Sequence, residues 1–277
     1  MRTITDKHTE NFKIHLCDEE KSANTVKKYM RDIRCFTQWL NGKSIDKPAV
    51  LEYKKALCGK YSPKSVNSML SSLNTFFMFC GWYELKVKTL KIQRQIFADK
   101  SKELAKDEYS RLLAAAQGNK RLYYLMQTLA STGLRVSELK YVTCEAVNSG
   151  RATINCKGKI RCVFLPGKLC KMLRAYIKSK NIKCGSVFVT VNGNPIDRSN
   201  IWKMLKSLCT AAGVAKEKVF PHNFRHLFAR TYYKVQKDIV RLADILGHSS
   251  VDTTRIYTME NGDICRRQIQ KLGLLKC

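Results

Sequence analysis

The 277 residues predict a mainly α-helical fold, with a small antiparallel β-sheet in the C-terminal domain of two. Three observations predict it. Apolar residues recur at three- and four-residue spacing along most of the chain, which marks amphipathic helices. One stretch, Ala152 to Leu165, changes to β-prone runs around a glycine. The length exceeds that of a usual single domain, and a basic stretch of little periodicity separates two helical parts.

Residues 4 to about 92 read as helices without strands. Ser22-Ala23-Asn24-Thr25 offers N-cap residues, after which Val26, Tyr29, Ile33, Phe36 and Leu40 form an apolar stripe. Lys27, Lys28, Arg31 and Arg34 fall largely on other faces, so this helix has a basic side. Asp46 and Pro48 introduce a shorter helix over Lys47–Leu57, because proline in a first turn gives up no needed N–H. Another helix begins near Ser62-Pro63, carries Val66, Leu70, Leu73, Phe76 and Phe77, and ends near Gly81. The boundaries that follow are a first domain over 1–92, a basic linker over 93–106, and a second domain over 107–277 with a tail at 259–277. Basic residues from Lys86 to Lys106 suit either a solvated charge run or a linker lying against phosphates.

Helices are expected at Lys106–Gln117 and Lys120–Ser131. Ala152–Cys156 and Arg161–Leu165 read as a β-hairpin joined by Lys157-Gly158-Lys159-Ile160. Helices resume near Gly167, around Ser199–Ala212, at His222–Val235, at Asp238–Leu246 and in the tail.

The net charge is +29, from 51 Lys and Arg against 22 Asp and Glu. Residues 1–100 carry 19 basic and 10 acidic side chains and residues 101–277 carry 32 and 12, so both halves are basic. Such an excess repels itself unless a polyanion compensates it, and its spread over both halves favours nucleic acid over a membrane surface. No stretch is apolar enough for a signal peptide or a bilayer span, which predicts a cytoplasmic, nucleoid-associated protein with no membrane partner. The 12 cysteines form no CxxC pair and read as reduced, mostly buried small hydrophobes.

Three segments carry chemistry together: Thr132-Gly133-Leu134-Arg135-Val136-Ser137-Glu138-Leu139, then Pro221-His222-Asn223-Phe224-Arg225-His226, then Leu246-Gly247-His248 running on to Thr254-Arg255-Ile256-Tyr257. In this order they resemble the active-site boxes of the tyrosine recombinase (phage-type, Xer-like integrase) family. The resemblance extends to the N-terminal half, where Asn24-Thr25-Val26, Tyr29, Asp32-Ile33-Arg34, Phe36 and Trp39-Leu40 look like the family's core-binding domain. It implies a SAM-like DNA-binding domain, a catalytic domain of the DNA breaking-rejoining type, and a two-domain clamp on DNA.

The residue types fit that chemistry on their own terms. Attack on a phosphodiester builds negative charge, so a metal-free site needs fixed cations with two-pronged donors, which Arg135 and Arg225 supply. Glu138, three residues after Arg135, is placed to orient it. His222 and Arg225 project from one helix face. His222 and His226 have the spacing of a zinc pair, but Asn223 stands where a metalloprotease helix needs glutamate, so no metal and no cofactor are expected. The resemblance makes His226 a packing or orienting residue and His248 a contact to the scissile phosphate. It makes Tyr257, nine residues on, the nucleophile among 12 tyrosines. A tyrosine hydroxyl titrates near ~10 and needs neighbouring cations and a base to react at neutral pH. The family's general acid is a hairpin lysine; Lys157 is the choice here and Lys159 the reserve.

What the resemblance implies is recombination of double-stranded DNA at specific core sites through a 3′-phosphotyrosyl intermediate. It further implies a homo-tetramer on DNA, with the tail at 259–277 docking on a neighbouring subunit or on its own domain. No additional arm-binding domain is expected before the first helices. A type IB topoisomerase and a DNA-binding regulator that has lost catalysis are the rival readings. Integration of a mobile element and resolution of chromosomes both fit.

Overall fold

The computed structural model describes residues 2–92, 100–156, 158–257 and 270–271. It divides into two compact units, residues 1–94 and 95–277.

The first unit is four helices, α1 (Asp6–Asp18), α2 (Ala23–Leu40), α3 (Lys47–Lys60) and α4 (Pro63–Phe79). Thr5, Ser22, Asp46 and Ser62 cap them, each side chain accepting from a backbone N–H in the first turn. Their apolar stripes close on one core in which Phe12, Ile33, Phe36, Val50, Leu70, Leu73, Phe76 and Phe77 are fully buried. Two cations of the basic side, Lys28 and Arg31, bind Asp32. Lys28 Nζ donates to Ser72 Oγ at 2.8 Å and pairs with Asp32 at 2.9 Å, tying α2 to α4. Burial alone would raise the pKa of Asp32, but hydrogen bonds from Lys28, Arg31 and Ser72 outweigh it and hold the carboxyl below its ordinary value.

The second unit holds α5 (Lys106–Ala115), α6 (Lys120–Thr132), a 3-10 turn at Val136–Tyr141, α7 (Cys144–Ser149), β1 (Arg151–Cys156) and β2 (Lys159–Phe164). It continues with α8 (Gly167–Ser179), α9 (Arg198–Ser207), α10 (Cys209–Ala212), α11 (Pro221–Gln236) and α12 (Ile239–Leu246). Two 3-10 turns follow, Val251–Thr253 and Arg255–Tyr257. Leu125, Met126, Leu129, Val147, Leu173, Leu205 and Phe224 centre the core, and a smaller cluster gathers Ala229, Leu242, Leu246 and Tyr257.

Of the basic stretch read as a linker over 93–106, residues 93–99 lie outside the described residues. The remainder is built into the second unit: Leu104 is fully buried, Arg230 pairs with Glu103 at 3.1 Å, and Asn223 Nδ2 donates to the Lys102 carbonyl at 2.7 Å. An apolar residue among the lysines is what anchors it.

The strands pair antiparallel from Arg151↔Phe164 to Cys156↔Lys159. Two residues, 157 and 158, therefore separate the strands, fewer than the four-residue connection read from sequence, and Ile160 joins β2. Gly158 has φ of +73°, the left-handed conformation that two-residue hairpins require. Alternation buries Ala152, Ile154 and Val163 and exposes Thr153, Ile160, Cys162 and Phe164. Arg161, opposite Ile154, shares the inner face.

Candidate active site

Arg225 on α11 is a buried guanidinium, 1% exposed, a placement that costs heavily unless its donors find acceptors. Nη1 donates to the Gly133 carbonyl at 2.6 Å and Nη2 to the Leu246 carbonyl at 2.7 Å. Those oxygens stand at the C-terminal ends of α6 and α12, where carbonyls lack helical partners and the helix dipole is negative. Gly133 has φ of +66°, and a Cβ there would meet Phe228 Cδ1 at 2.5 Å, so glycine lets α6 end against α11. Burial, then the charge of Arg135, push the Arg225 pKa down to about 10, which leaves it protonated at neutral pH.

Arg135 precedes the 3-10 turn at Val136–Tyr141, and Glu138 grips it twice. The Arg135 backbone N–H donates to Oε2 at 2.8 Å and Nη1 to Oε1 at 2.9 Å. From β2, Arg161 forks onto the same carboxylate, Nη1 to Oε1 at 3.0 Å and Nη2 to Oε2 at 2.9 Å. Burial would raise the Glu138 pKa, but the hydrogen bonds from Arg161 and Arg135 hold it below the ordinary value. Arg161 also lies over Gly247, where an added Cβ would meet its Cδ at 2.7 Å. One carboxylate thus latches the hairpin to the Arg135 turn, with Arg161 reaching on to the end of α12. Glu138→Ala leaves Arg161, 17% exposed, without its counter-charge. We expect the chain to lose about 3 kcal/mol in urea unfolding, with Glu138→Gln losing less.

The imidazoles line the tyrosine. His222 and His226, one turn apart on α11, have ring centroids 4.5 Å apart; His226 lies edge-on to Tyr257 at 4.9 Å, and His248 stacks on Tyr257 at 6.1 Å. His248 joins the two halves of the site, with Nε2 3.0 Å from Arg225 Nη2 and Nδ1 2.8 Å from Thr254 Oγ1. Tyr257 is 4% exposed. Burial raises its pKa and outweighs the charge and hydrogen bond of Arg225 and the charge of Arg135, which lower it, so the hydroxyl is protonated in the free chain.

Burial, then His222 and Arg230, bring the His226 pKa down to about 3. Burial, then Arg225 and Arg135, bring His248 down to about 4. Partial desolvation, then Arg225, lower His222, although that residue keeps an exposed edge. All three are neutral at pH 7. A histidine whose folded pKa lies below its unfolded value of about 6.5 contributes stability that is complete above that pH and falls as the solution is acidified toward the folded pKa. The melting temperature should therefore drop between about pH 7.5 and about pH 5, and His226→Phe should flatten that slope in a thermal-melt series.

Arg135, His222, Arg225, His248 and Tyr257 thus converge within one unit. Lys157 lies outside the described residues, as does the side chain of Lys159. Arg161 and Thr254 join the site without having been singled out in the sequence. Arg161 carried a signal, sharing strand parity with Val163, a core position; Thr254 carried none. Among the described residues no group of three or more His, Cys, Asp or Glu is placed to hold a metal, and no helix is long and apolar enough to cross a membrane.

The model of the phage integrase family matches residues 102–262, more than half of the chain. The chain belongs to the phage integrase family. This integrase also matches the family's N-terminal SAM-like domain over residues 9–83. The tyrosine recombinase XerA of Thermococcus kodakarensis is 30% identical over 278 residues, 96% of this chain and 95% of that one. XerD of Xanthomonas axonopodis pv. citri is 28% identical over 91% of this chain and 90% of its own. Among solved structures, a lambda integrase dimer bound to a COC′ core site aligns with a TM-score of 0.76 at 16% identity, over 94% of this chain and 97% of that chain. XerH bound to its difH substrate aligns at 0.71 and 17%, over 100% and 86%. The mainly helical fold with its two-stranded sheet is that of these recombinases. The integrase is an enzyme, a tyrosine recombinase that carries out site-specific recombination by cleaving and rejoining strands.

Proposed function

We propose that Tyr257 is the nucleophile of this recombinase and acts in cis, within the unit that supplies Arg135, His222, Arg225 and His248. The observation that carries this is the setting of Tyr257: a buried phenol with Arg225 at its hydroxyl and the rings of His226 and His248 against its own. Arg225 and Arg135 take the non-bridging oxygens of the scissile phosphate. The Tyr257 oxygen bonds to phosphorus as the bond to the 5′ oxygen breaks, its proton passing to a neutral imidazole of the site. The 5′ oxygen leaves as a hydroxyl on taking a proton from Lys157. The bond energy stays in the 3′-phosphotyrosyl link, and a 5′-hydroxyl from a partner duplex reverses the step.

The substrate is double-stranded DNA, a reading supported by the net charge of +29 and by the DNA in the complexes of XerH and lambda integrase. A lambda integrase tetramer bound to a Holliday junction supports assembly of four copies. Residues 259–277, with Ile264, Ile269, Leu272, Leu274 and Leu275, join neighbours. An apolar groove of about 530 Å³ lined by Tyr109, Ala130, Leu227, Phe228, Tyr232 and Val235 suits them as a receptor. Deleting 260–277 should abolish cooperative binding to paired sites in a gel shift while single-site binding persists; unchanged cooperativity would remove the tail from assembly.

The test of the whole reading uses a duplex selected from a random pool by the chain itself. A nicked form should trap a covalent complex, and two intact copies should exchange strands. Relaxation of supercoils without exchange would mark a topoisomerase, and binding without trapping a regulator.

A further inference from the structure

Two contacts on opposite sides of His248 determine where its proton sits. A guanidinium has only donors, so the 3.0 Å contact from Arg225 Nη2 requires a lone pair on Nε2. The reverse tautomer would set N–H against N–H. In a neutral imidazole the hydrogen is then on Nδ1, which donates to Thr254 Oγ1 at 2.8 Å. Thr254 is fully buried, and the turn pins it: its N–H donates to the Val251 carbonyl at 2.8 Å, and its own carbonyl accepts from the Tyr257 N–H at 3.0 Å. One residue therefore holds the histidine ring by its side chain and the tyrosine by its backbone.

We propose that Thr254 is a positioning residue that fixes His248 as the Nδ1–H tautomer, so that the Nε2 lone pair is kept to accept from Arg225 and hold that guanidinium in place for cleavage. The inference rests on the assignment of Tyr257 and His248 made above.

A hydroxyl suits this task better than a carboxylate would. The charges that face the ring are cations, Arg225 from α11, Arg135 from the turn after α6 and Arg161 from β2, with Glu138 bound between the last two. They and burial keep the imidazole neutral, with its pKa at about 4. An aspartate at position 254 would raise that pKa and favour a proton on Nε2, setting N–H against the Arg225 N–H. A neutral oxygen fixes the tautomer and leaves Nε2 to accept from Arg225.

The test is ¹⁵N NMR of the full chain labelled at histidine, near neutral pH, with single-turnover cleavage of the nicked duplex on the same variants. We expect His248 to show a protonated Nδ1 and an unprotonated Nε2 in the wild type and in Thr254→Ser, and a mixture of tautomers in Thr254→Val. Thr254→Val should cleave about a hundredfold more slowly at unchanged DNA affinity, with Thr254→Ser within about threefold of wild type. Wild-type cleavage by Thr254→Val, or a wild-type spectrum with unprotonated Nδ1, overturns the inference. Should Thr254→Val not fold, the wild-type and Thr254→Ser spectra decide it. The spectrum needs no cleavage, so a covalent link found on another tyrosine would sink the nucleophile assignment while leaving the tautomer result to be read separately.

Discussion

Replacing Tyr257 by phenylalanine should abolish covalent capture of DNA and leave affinity for the same duplex within about twofold, since affinity rests on many phosphate contacts. Phenylalanine has nearly the volume of tyrosine and keeps its packing on Ala229, Leu242 and Leu246, so the fold is not the casualty. What goes is one oxygen. No other phenol is placed to replace it: Tyr232 and Tyr233 pack against the same cluster, but among the described residues the ring contacts of His226 and His248 with tyrosine are made to Tyr257. Denaturing electrophoresis of the nicked-duplex reaction reads the effect directly. A slower but persistent adduct in Tyr257→Phe would mean a second nucleophile.

Arg225→Lys should lower single-turnover cleavage by about a thousandfold at saturating DNA. The substitution keeps the charge and loses the fork. Arg225 spans two carbonyls belonging to different helices, Gly133 and Leu246, and touches His248 besides. An ammonium on a single point cannot bridge both carbonyls and still reach His248 and a phosphate. The two helix ends lose their common ligand, so the melting temperature should fall as well. Cleavage within tenfold of wild type would show that charge alone suffices and that the bidentate geometry is incidental.

How far the site could be read from the sequence differs residue by residue. Arg135, His222, Arg225, His248 and Tyr257 were placed by motif order, and the folded chain brings them together because the first and third motifs follow α6 and α12, both packed on α11, which carries the second. Glu138 could be read as the partner of Arg135 from its three-residue spacing, and the 2.9 Å contact follows from it. Arg161 stands on a different element from both, and only the register of a hairpin reveals that it faces inward. Thr254 is one threonine in a run of polar residues, and nothing short of the fold tells it from Thr253. In the first unit the apolar stripes and N-caps specified α2, α3 and α4 closely, since local spacing and capping act within a few residues. The side chain of Lys28 was assigned to a basic surface. Its contacts with Ser72 and Asp32 depend on how α4 lies against α2, a long-range property that periodicity does not encode. The hairpin was found but its turn was drawn too long, because Ile160 is exposed in β2 and so gives no inward apolar signal.

The most direct measurement is the identity of the residue joined to DNA. The trapped complex, digested with protease and nuclease and analysed by tandem mass spectrometry, should yield a peptide that includes Tyr257 with the nucleotide remnant on its phenolic oxygen. A remnant on any other of the 12 tyrosines, or on a serine, would contradict the assignment on which the roles of Arg225, His248 and Thr254 depend.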